Sequence, residues 1–127
     1  MTPELLAVIE KYNHYPEFLG IDISSVDQPG ALDNTLLHLT TWIGAIDDMQ
    51  ILISSGADVN SAGDLGNTPL HFAAMKGRRD AVVLLLASNA DAMRQNQLGQ
   101  TPDRVADLAG HGDLSALLRD SILIKKK

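Results

Sequence analysis

The sequence contains no cysteine, which excludes disulfide bonds and thiolate metal sites and suits a reducing compartment without proving one. Aromatic residues are scarce: there are one Trp, two Tyr and two Phe in 127 residues. No apolar run reaches the ~18 residues of a membrane-spanning helix, and no basic segment precedes an apolar one near the start, as it would in a signal peptide. We therefore predict a cytoplasmic protein that does not bind membranes and that forms one domain over residues 1–127.

Basic residues are nearly absent from the first half of the chain. Residues 1–66 hold ten acids and one base, Lys11, for a net charge of −9, whereas residues 67–127 hold six acids and nine bases, for a net charge of +3. The total of −6 disfavours contact with phosphates, so we predict no nucleic-acid partner. The asymmetry has two interpretations: it is ordinary solvated surface charge, or it is an acidic field that attracts a basic protein.

The chain repeats itself every 33 residues without a gap. "NTLLHLTTWIG", "NTPLHFAAMKG" and "QTPDRVADLAG" begin at residues 34, 67 and 100. Each copy predicts a short helix that begins after a Thr N-cap and ends at a Gly, followed by a second helix that begins near an Asp. A turn-rich segment such as "ADVNSAGDLG" then leads to the next copy. The residues assigned to this scaffold are Thr35, Thr68, Pro69, Gly77 and Thr101.

The combination of "GNTPLHFAAMKG", "LLLASNAD" and "ILISSGADVN" resembles the ankyrin repeat. The resemblance covers residues 34–121 well and residues 1–33 weakly. It implies an all-α solenoid of about four stacked helix-turn-helix units with short hairpin loops. The expected units are a degenerate N-terminal cap at 1–33, repeats at 34–66 and 67–99, and a C-terminal cap repeat with a frayed basic tail at 100–127.

The terminal copies depart from the repeat pattern. Asp103 and Arg104 place charge where the preceding copy is apolar or neutral, as a polar end cap requires. Asp33 replaces the Gly of the hairpin turn, which leaves the conformation of the first turn open. Thr2 and Pro3 form an N-cap and N1 pair, which indicates that residues 1–33 are a degenerate copy of the same unit.

Two histidines are the first candidates for chemistry. His38 and His71 each lie three residues after a Thr, on the same helix face. They are either catalytic or, as the resemblance implies, structural bridges between the Thr and the adjoining unit. No nucleophile or carboxylate stands beside them, and no zinc, phosphate-loop or hydrolase motif is present. We expect no catalytic residue, no metal and no cofactor.

The resemblance also implies a binding surface. In each unit the two positions before the helix-ending Gly are expected to face a ligand. The first of these positions is Trp42, Met75 and Leu108 in the three copies, and together they would form an apolar stripe. The stripe either contacts a partner or packs internally. The other predicted contact residues are those beside the stripe, in the hairpins and in the acidic half, namely Ile43, Lys76, Asp33, Asn34, Asp47, Asp48, Asp64, Leu65, Asn67, Gln97, Leu98 and Gln100.

These features predict a non-catalytic protein-binding module that is monomeric when free. The preferred function is that of an immunity protein, an antitoxin that neutralises a toxin domain such as a basic nuclease. A scaffold or regulatory adaptor, or a bacterial effector that binds a host protein, would use the same surface. An enzyme or ligand-binding protein is the third alternative, and it predicts a deep polar pocket with perturbed titratable groups.

Overall fold

The computed structural model describes the backbone of residues 1–125 and the side chains of residues 1–124. Within this range the chain forms α-helices and short 3-10 turns, and no strand. The helices are α1 (Pro3–Tyr12), α2 (Leu36–Ile43), α3 (Ile46–Ser54), α4 (Pro69–Lys76), α5 (Arg79–Ala87), α6 (Pro102–Leu108) and α7 (Gly112–Lys125). The predicted all-α class is confirmed. The predicted fraying of the basic tail concerns residues at and beyond the end of the described range.

The helices stack in two layers. In the first, α2 contacts α4 and α4 contacts α6; in the second, α1 contacts α3 and α3 contacts α5. Helix α7 packs against α6 and ends the stack. One continuous apolar core lies between the layers, and Leu36, Leu52, Leu70 and Leu85 within it are at most 1% exposed. Each unit buries its apolar face against its neighbours, which is the packing of a solenoid.

The first helix of each central repeat begins and ends as the sequence predicts. Thr35 and Thr68 form capping boxes, in which the hydroxyl accepts from the amide of the His three residues on. At the other end Gly44 has φ 84° and Gly77 has φ 69°, a left-handed conformation that costs glycine little. These signals are local, so the sequence is sufficient to place them.

Thr101 differs from the two other threonines and corrects one prediction. Its side chain caps no helix; the hydroxyl donates instead to the Asp103 carboxylate. Arg104 stands where the central repeats have His, so the reciprocal capping bond cannot form. Arg119 of α7 donates to the carboxylates of both Asp103 and Asp107 and joins the last two helices. Burial alone would raise the pKa of Asp103, but the hydrogen bonds from Thr101 and Arg119 outweigh it and lower that pKa.

The N-terminal unit contains a single α-helix. Thr2 is the N-cap of helix α1, and its hydroxyl accepts from the Leu5 amide at 3.2 Å. It lies against α3, in the layer formed by the second helices of the central repeats. After Tyr12 the chain continues into a 3-10 turn at Pro16–Phe18, which brings Phe18 into the core with none of its surface exposed. Within the described residues the unit therefore has a counterpart of α3 and α5, and it has a short turn where the central repeats have α2 and α4.

The hairpin loops share a closing hydrogen bond and differ at Leu65, which alone among the three equivalent leucines has a positive φ, of 55°. In three successive tiers the same backbone bond closes the loop, from Gly30 to Asn34 at 2.8 Å, from Gly63 to Asn67 at 2.8 Å, and from Asn96 to Gln100 at 2.9 Å. Asp33 has φ 67°, close to the values of 73° and 74° for the equivalent glycines at 66 and 99. Asp33 therefore keeps the conformation of the turn, because Asp is one of the few L-residues that tolerate it.

Candidate functional site

The two repeat histidines link each tier to the next. Nδ1 of His38 accepts from the Thr35 amide at 3.0 Å, so the proton is on Nε2, which donates to the carbonyl oxygen of Asn67 at 2.9 Å. His71 repeats the arrangement with the Thr68 amide at 3.0 Å and the carbonyl oxygen of Gln100 at 2.8 Å. Burial lowers the pKa of both imidazoles, which keeps them neutral. With both ring nitrogens bonded and no exposed surface, neither side chain is available to a substrate.

A groove of about 340 Å³ lies between helices α2 and α4 and the hairpin loop at 64–66. It gathers six of the predicted contact residues, which come from three separate segments of the chain. The full lining is Glu17, Asn34, His38, Leu39, Trp42, Asp64, Leu65, Asn67, Phe72 and Met75. Its floor is apolar, since leucine, methionine and aromatic side chains form most of it.

Trp42 forms one wall of this groove and is 39% exposed. Its ring meets Phe72 edge to face, with the centroids 5.4 Å apart. The ammonium of Lys76 lies 4.8 Å from the Trp42 ring centroid, within cation–π range. Trp42 is therefore half packed against its own chain and half open. The packing against Phe72 orients the ring, and aromatic anchors of this kind are typical of binding hot spots.

The matching family model is the one described as Ankyrin repeats (3 copies), and it covers residues 5–120. The chain belongs to the ankyrin repeat family. No curated protein matches the sequence. Ankyrin repeats are protein–protein interaction modules, which indicates that this ankyrin protein binds a protein partner.

Three groove residues of the ankyrin protein were missed from the sequence. Leu39 lies one helical turn before Trp42, and Phe72 lies one turn before Met75, so helical spacing would have found both. Glu17 carries no such signal, because the fold brings it in from the N-terminal unit. Its carboxylate accepts from the Leu32 amide at 2.6 Å and from the Asn34 side chain at 2.9 Å.

Asp48 must be removed from the predicted contact residues. It is 8% exposed, and its carboxylate accepts from the Tyr12 hydroxyl at 2.5 Å and from the Lys11 ammonium at 3.0 Å. Burial by itself would raise the pKa of Asp48, but the bonds from Tyr12 and Lys11 prevail and lower it. The same environment raises the pKa of Tyr12, through burial first and through the hydrogen bond to Asp48 second. This carboxylate joins α1 to α3 and is not available to a partner.

Asn67 also belongs to the scaffold, although it lines the groove. It is 5% exposed; its amide nitrogen donates to the carbonyl oxygen of Asp64 at 3.1 Å, and its amide oxygen accepts from Asn96 at 3.0 Å. These bonds tie one hairpin to the next. The function of its side chain is to position the loop that carries Asp64 and Leu65.

The remaining predicted residues lie outside the groove. Asp47 is exposed at the start of α3, where it lines a separate depression of about 820 Å³ beside α1. Leu108 is 58% exposed and does not line the groove. The others are exposed or half-buried around the rim or on the next hairpin: Asp33, Ile43, Lys76, Gln97, Leu98 and Gln100.

Over residues 1–125, no helix is both long and apolar enough to cross a membrane. In the same part of the chain, no three His, Asp or Glu side chains are grouped closely enough to hold a metal ion.

Proposed function

We propose that this ankyrin-repeat protein binds a basic protein in the groove at Trp42, and that it acts as an immunity protein by covering a functional surface of a toxin domain. The observation that carries the proposal is the composition of the groove. An exposed Trp borders an apolar floor, and the acidic residues Glu17 and Asp64 belong to the same lining. Tryptophan anchors in apolar surroundings are typical of binding hot spots.

The charge distribution supports a basic partner. Residues 1–66 carry a net charge of −9, and the groove draws most of its lining from this half of the chain. A field of one sign speeds the encounter with a partner of the opposite sign, and it sets orientation before the short-range contacts form. An antitoxin benefits from such rapid capture, because it must reach the toxin before the toxin reaches its target.

The geometry supports binding rather than catalysis. The groove is mostly apolar and open, and the imidazole that borders it, His38, is neutral and bonded at both nitrogens. A general base needs a free lone pair within hydrogen-bond reach of substrate. His38 has none to offer, because Nδ1 accepts from the backbone.

Co-expression tests the immunity function. The protein is produced together with any product of its neighbouring genes that is toxic to cells, and survival is compared with that of cells that make the toxin alone. We expect rescue by the native chain and loss of rescue by Trp42→Ala. The matched control is Val83→Ala, which removes an apolar side chain that is 49% exposed on α5, away from the groove. Equal killing with and without the native chain would refute the immunity function.

The affinity of the complex separates the immunity protein from an adaptor. Immunity complexes are expected at nanomolar or tighter dissociation constants, and transient adaptors near the micromolar range. A partner recovered by pull-down that binds at micromolar strength, together with failure of the rescue assay, would favour the adaptor. Loss of that binding in Trp42→Ala would still place the contact in the groove.

A further inference from the structure

The groove at Trp42 combines a flat aromatic wall with aliphatic neighbours. Trp42 and Phe72 pack edge to face at 5.4 Å between centroids, and Leu39, Leu65 and Met75 complete the apolar lining. A volume of about 340 Å³ is at the lower end for ligand pockets, so the groove suits one inserted side chain rather than a whole helix.

Two carboxylates at the groove form no ion pair within residues 1–124. The ion pairs found among residues 1–124 involve Asp48, Asp91, Asp103 and Asp107, and neither Glu17 nor Asp64 takes part in them. Glu17 receives hydrogen bonds from neutral groups only. Asp64 uses its backbone amide to bond Asn34 at 2.9 Å, which orients the loop, while its half-buried carboxylate has no bond within the described residues.

The Trp42 ring already accommodates a cation. Lys76 holds its ammonium 4.8 Å from the ring centroid, yet Lys76 is not among the groove-lining residues. The ring surface that lines the groove is therefore left to another group. An aromatic face beside two unpaired carboxylates attracts a positive charge more strongly than either feature does separately.

We propose that the groove binds an arginine side chain of the partner protein. This inference rests on the proposed function, and it names the chemical group that the groove recognises. The aliphatic stem would lie against Leu65 and Met75, the planar guanidinium would stack on Trp42, and its N–H groups would donate to Asp64 and Glu17. Arginine fits better than lysine, because only a planar guanidinium both stacks on an aromatic ring and donates to two acceptors in fixed directions.

The fluorescence of Trp42 provides a direct assay, because it is the only Trp in the chain. The native protein is titrated with the blocked tripeptide acetyl-Gly-Arg-Gly-amide. Two comparison peptides carry lysine or citrulline in place of arginine; citrulline keeps the shape but has no charge. We expect a saturable change with arginine, a weaker response with lysine and none with citrulline. Equal responses to arginine and citrulline would overturn the proposal.

Two charge variants sharpen the test. Asp64→Asn should weaken arginine-peptide binding by about threefold to fivefold, the size expected for the loss of one half-exposed ion pair. The matched control Glu10→Gln removes the same charge from an exposed position on α1 outside the groove, and it should leave binding unchanged. Equal weakening in both variants would show that only the net charge matters, and it would overturn the assignment of Asp64.

Lys76→Gln should change the affinity for the arginine peptide in the direction opposite to Asp64→Asn. Lys76 carries the same charge as the proposed guanidinium and contacts the same ring, so its removal should tighten binding of the arginine peptide. Weaker binding in Lys76→Gln would mean that the groove does not recognise a cation. If the toxin still binds with Trp42 dependence but the arginine peptide does not, the proposed function stands and this inference fails.

Discussion

Replacing His71 with Ala tests the link between tiers most directly. The His71 imidazole is fully buried and holds two groups that belong to different units, the Thr68 amide at 3.0 Å and the Gln100 carbonyl oxygen at 2.8 Å. Alanine retains neither bond, so the buried Thr68 amide loses its partner, and the Gln100 carbonyl oxygen keeps only its bond from the Asn96 amide at 2.9 Å. Water cannot replace the ring without entering the space between two packed repeats.

The magnitude follows from these contacts. Each lost hydrogen bond between neutral buried groups costs about 1 kcal/mol, and the vacated space adds roughly another 1 kcal/mol. We therefore expect His71→Ala to lower the free energy of unfolding by about 3 kcal/mol, a large share of the roughly 5–15 kcal/mol typical of a domain. With a urea m-value near 2 kcal/mol/M, the unfolding midpoint should fall by about 1.5 M.

Urea unfolding followed by far-ultraviolet circular dichroism measures the loss. His14→Ala is the matched control, since His14 is exposed and should change the free energy of unfolding by less than about 0.5 kcal/mol. A loss below 1 kcal/mol for His71→Ala would refute the bridging role. The result would mean that packing of the apolar core alone sets the contact between tiers.

Acid provides an independent readout of the same residue. Burial lowers the pKa of His71 in the folded state below its ordinary value of 6.5, so the unfolded chain binds the proton more readily. The stabilisation from neutral His71 is complete above pH 6.5 and declines as the pH falls below it. In His71→Ala the unfolding free energy should depend less steeply on pH in that window. An unchanged slope would show that His71 is not held neutral.

The remaining predictions concern three other sites. Trp42→Ala should weaken binding of the protein partner by about 2 kcal/mol or more while the circular dichroism spectrum stays helical, and calorimetry would reveal an unchanged affinity if Trp42 were merely packed. Asp48→Asn should lower the unfolding free energy by about 1–2 kcal/mol. Most of this loss comes from the buried hydrogen bond to Tyr12, because the Lys11 ammonium is half exposed and its ion pair contributes less. An effect near zero in urea unfolding would contradict this. Ser115→Ala should raise thermal stability by about 1 kcal/mol, because the Ser115 hydroxyl is buried and has no hydrogen-bond partner among the described residues. A lower melting temperature would disprove it.

The sequence predicted what is local or repeated in the fold. The 33-residue register placed the Thr35 and Thr68 caps, and the Gly44 and Gly77 ends, where the structure has them. Each of these features depends on residues within one turn of a helix. A period seen three times also fixes which residues are equivalent, so the stacking of α2, α4 and α6 follows from it.

Contacts between distant segments were beyond the sequence. Asp48 looks like one of two acids at a helix start, and only the folded chain shows that Tyr12, 36 residues earlier, covers it. The layer occupied by α1 is likewise set by packing, since Thr2 and Pro3 specify where a helix begins and not which neighbours it meets. Glu17 enters the groove through the turn around Phe18, for which the repeat offers no template.

The donor–acceptor link from each histidine to the following tier makes the central repeat a modular building block. His38 donates to the backbone of residue 67, and His71 donates in the same way to residue 100. In a chain with residues 67–99 duplicated in tandem, His71 of the first copy would donate to the carbonyl oxygen of residue 67 of the second copy. His71 of the second copy would donate to the carbonyl oxygen of residue 100, as in the native chain. We expect such a lengthened chain to fold, and to carry a second Met75–Lys76 pair in line with the first. The span of the recognition surface can therefore be adjusted one tier at a time.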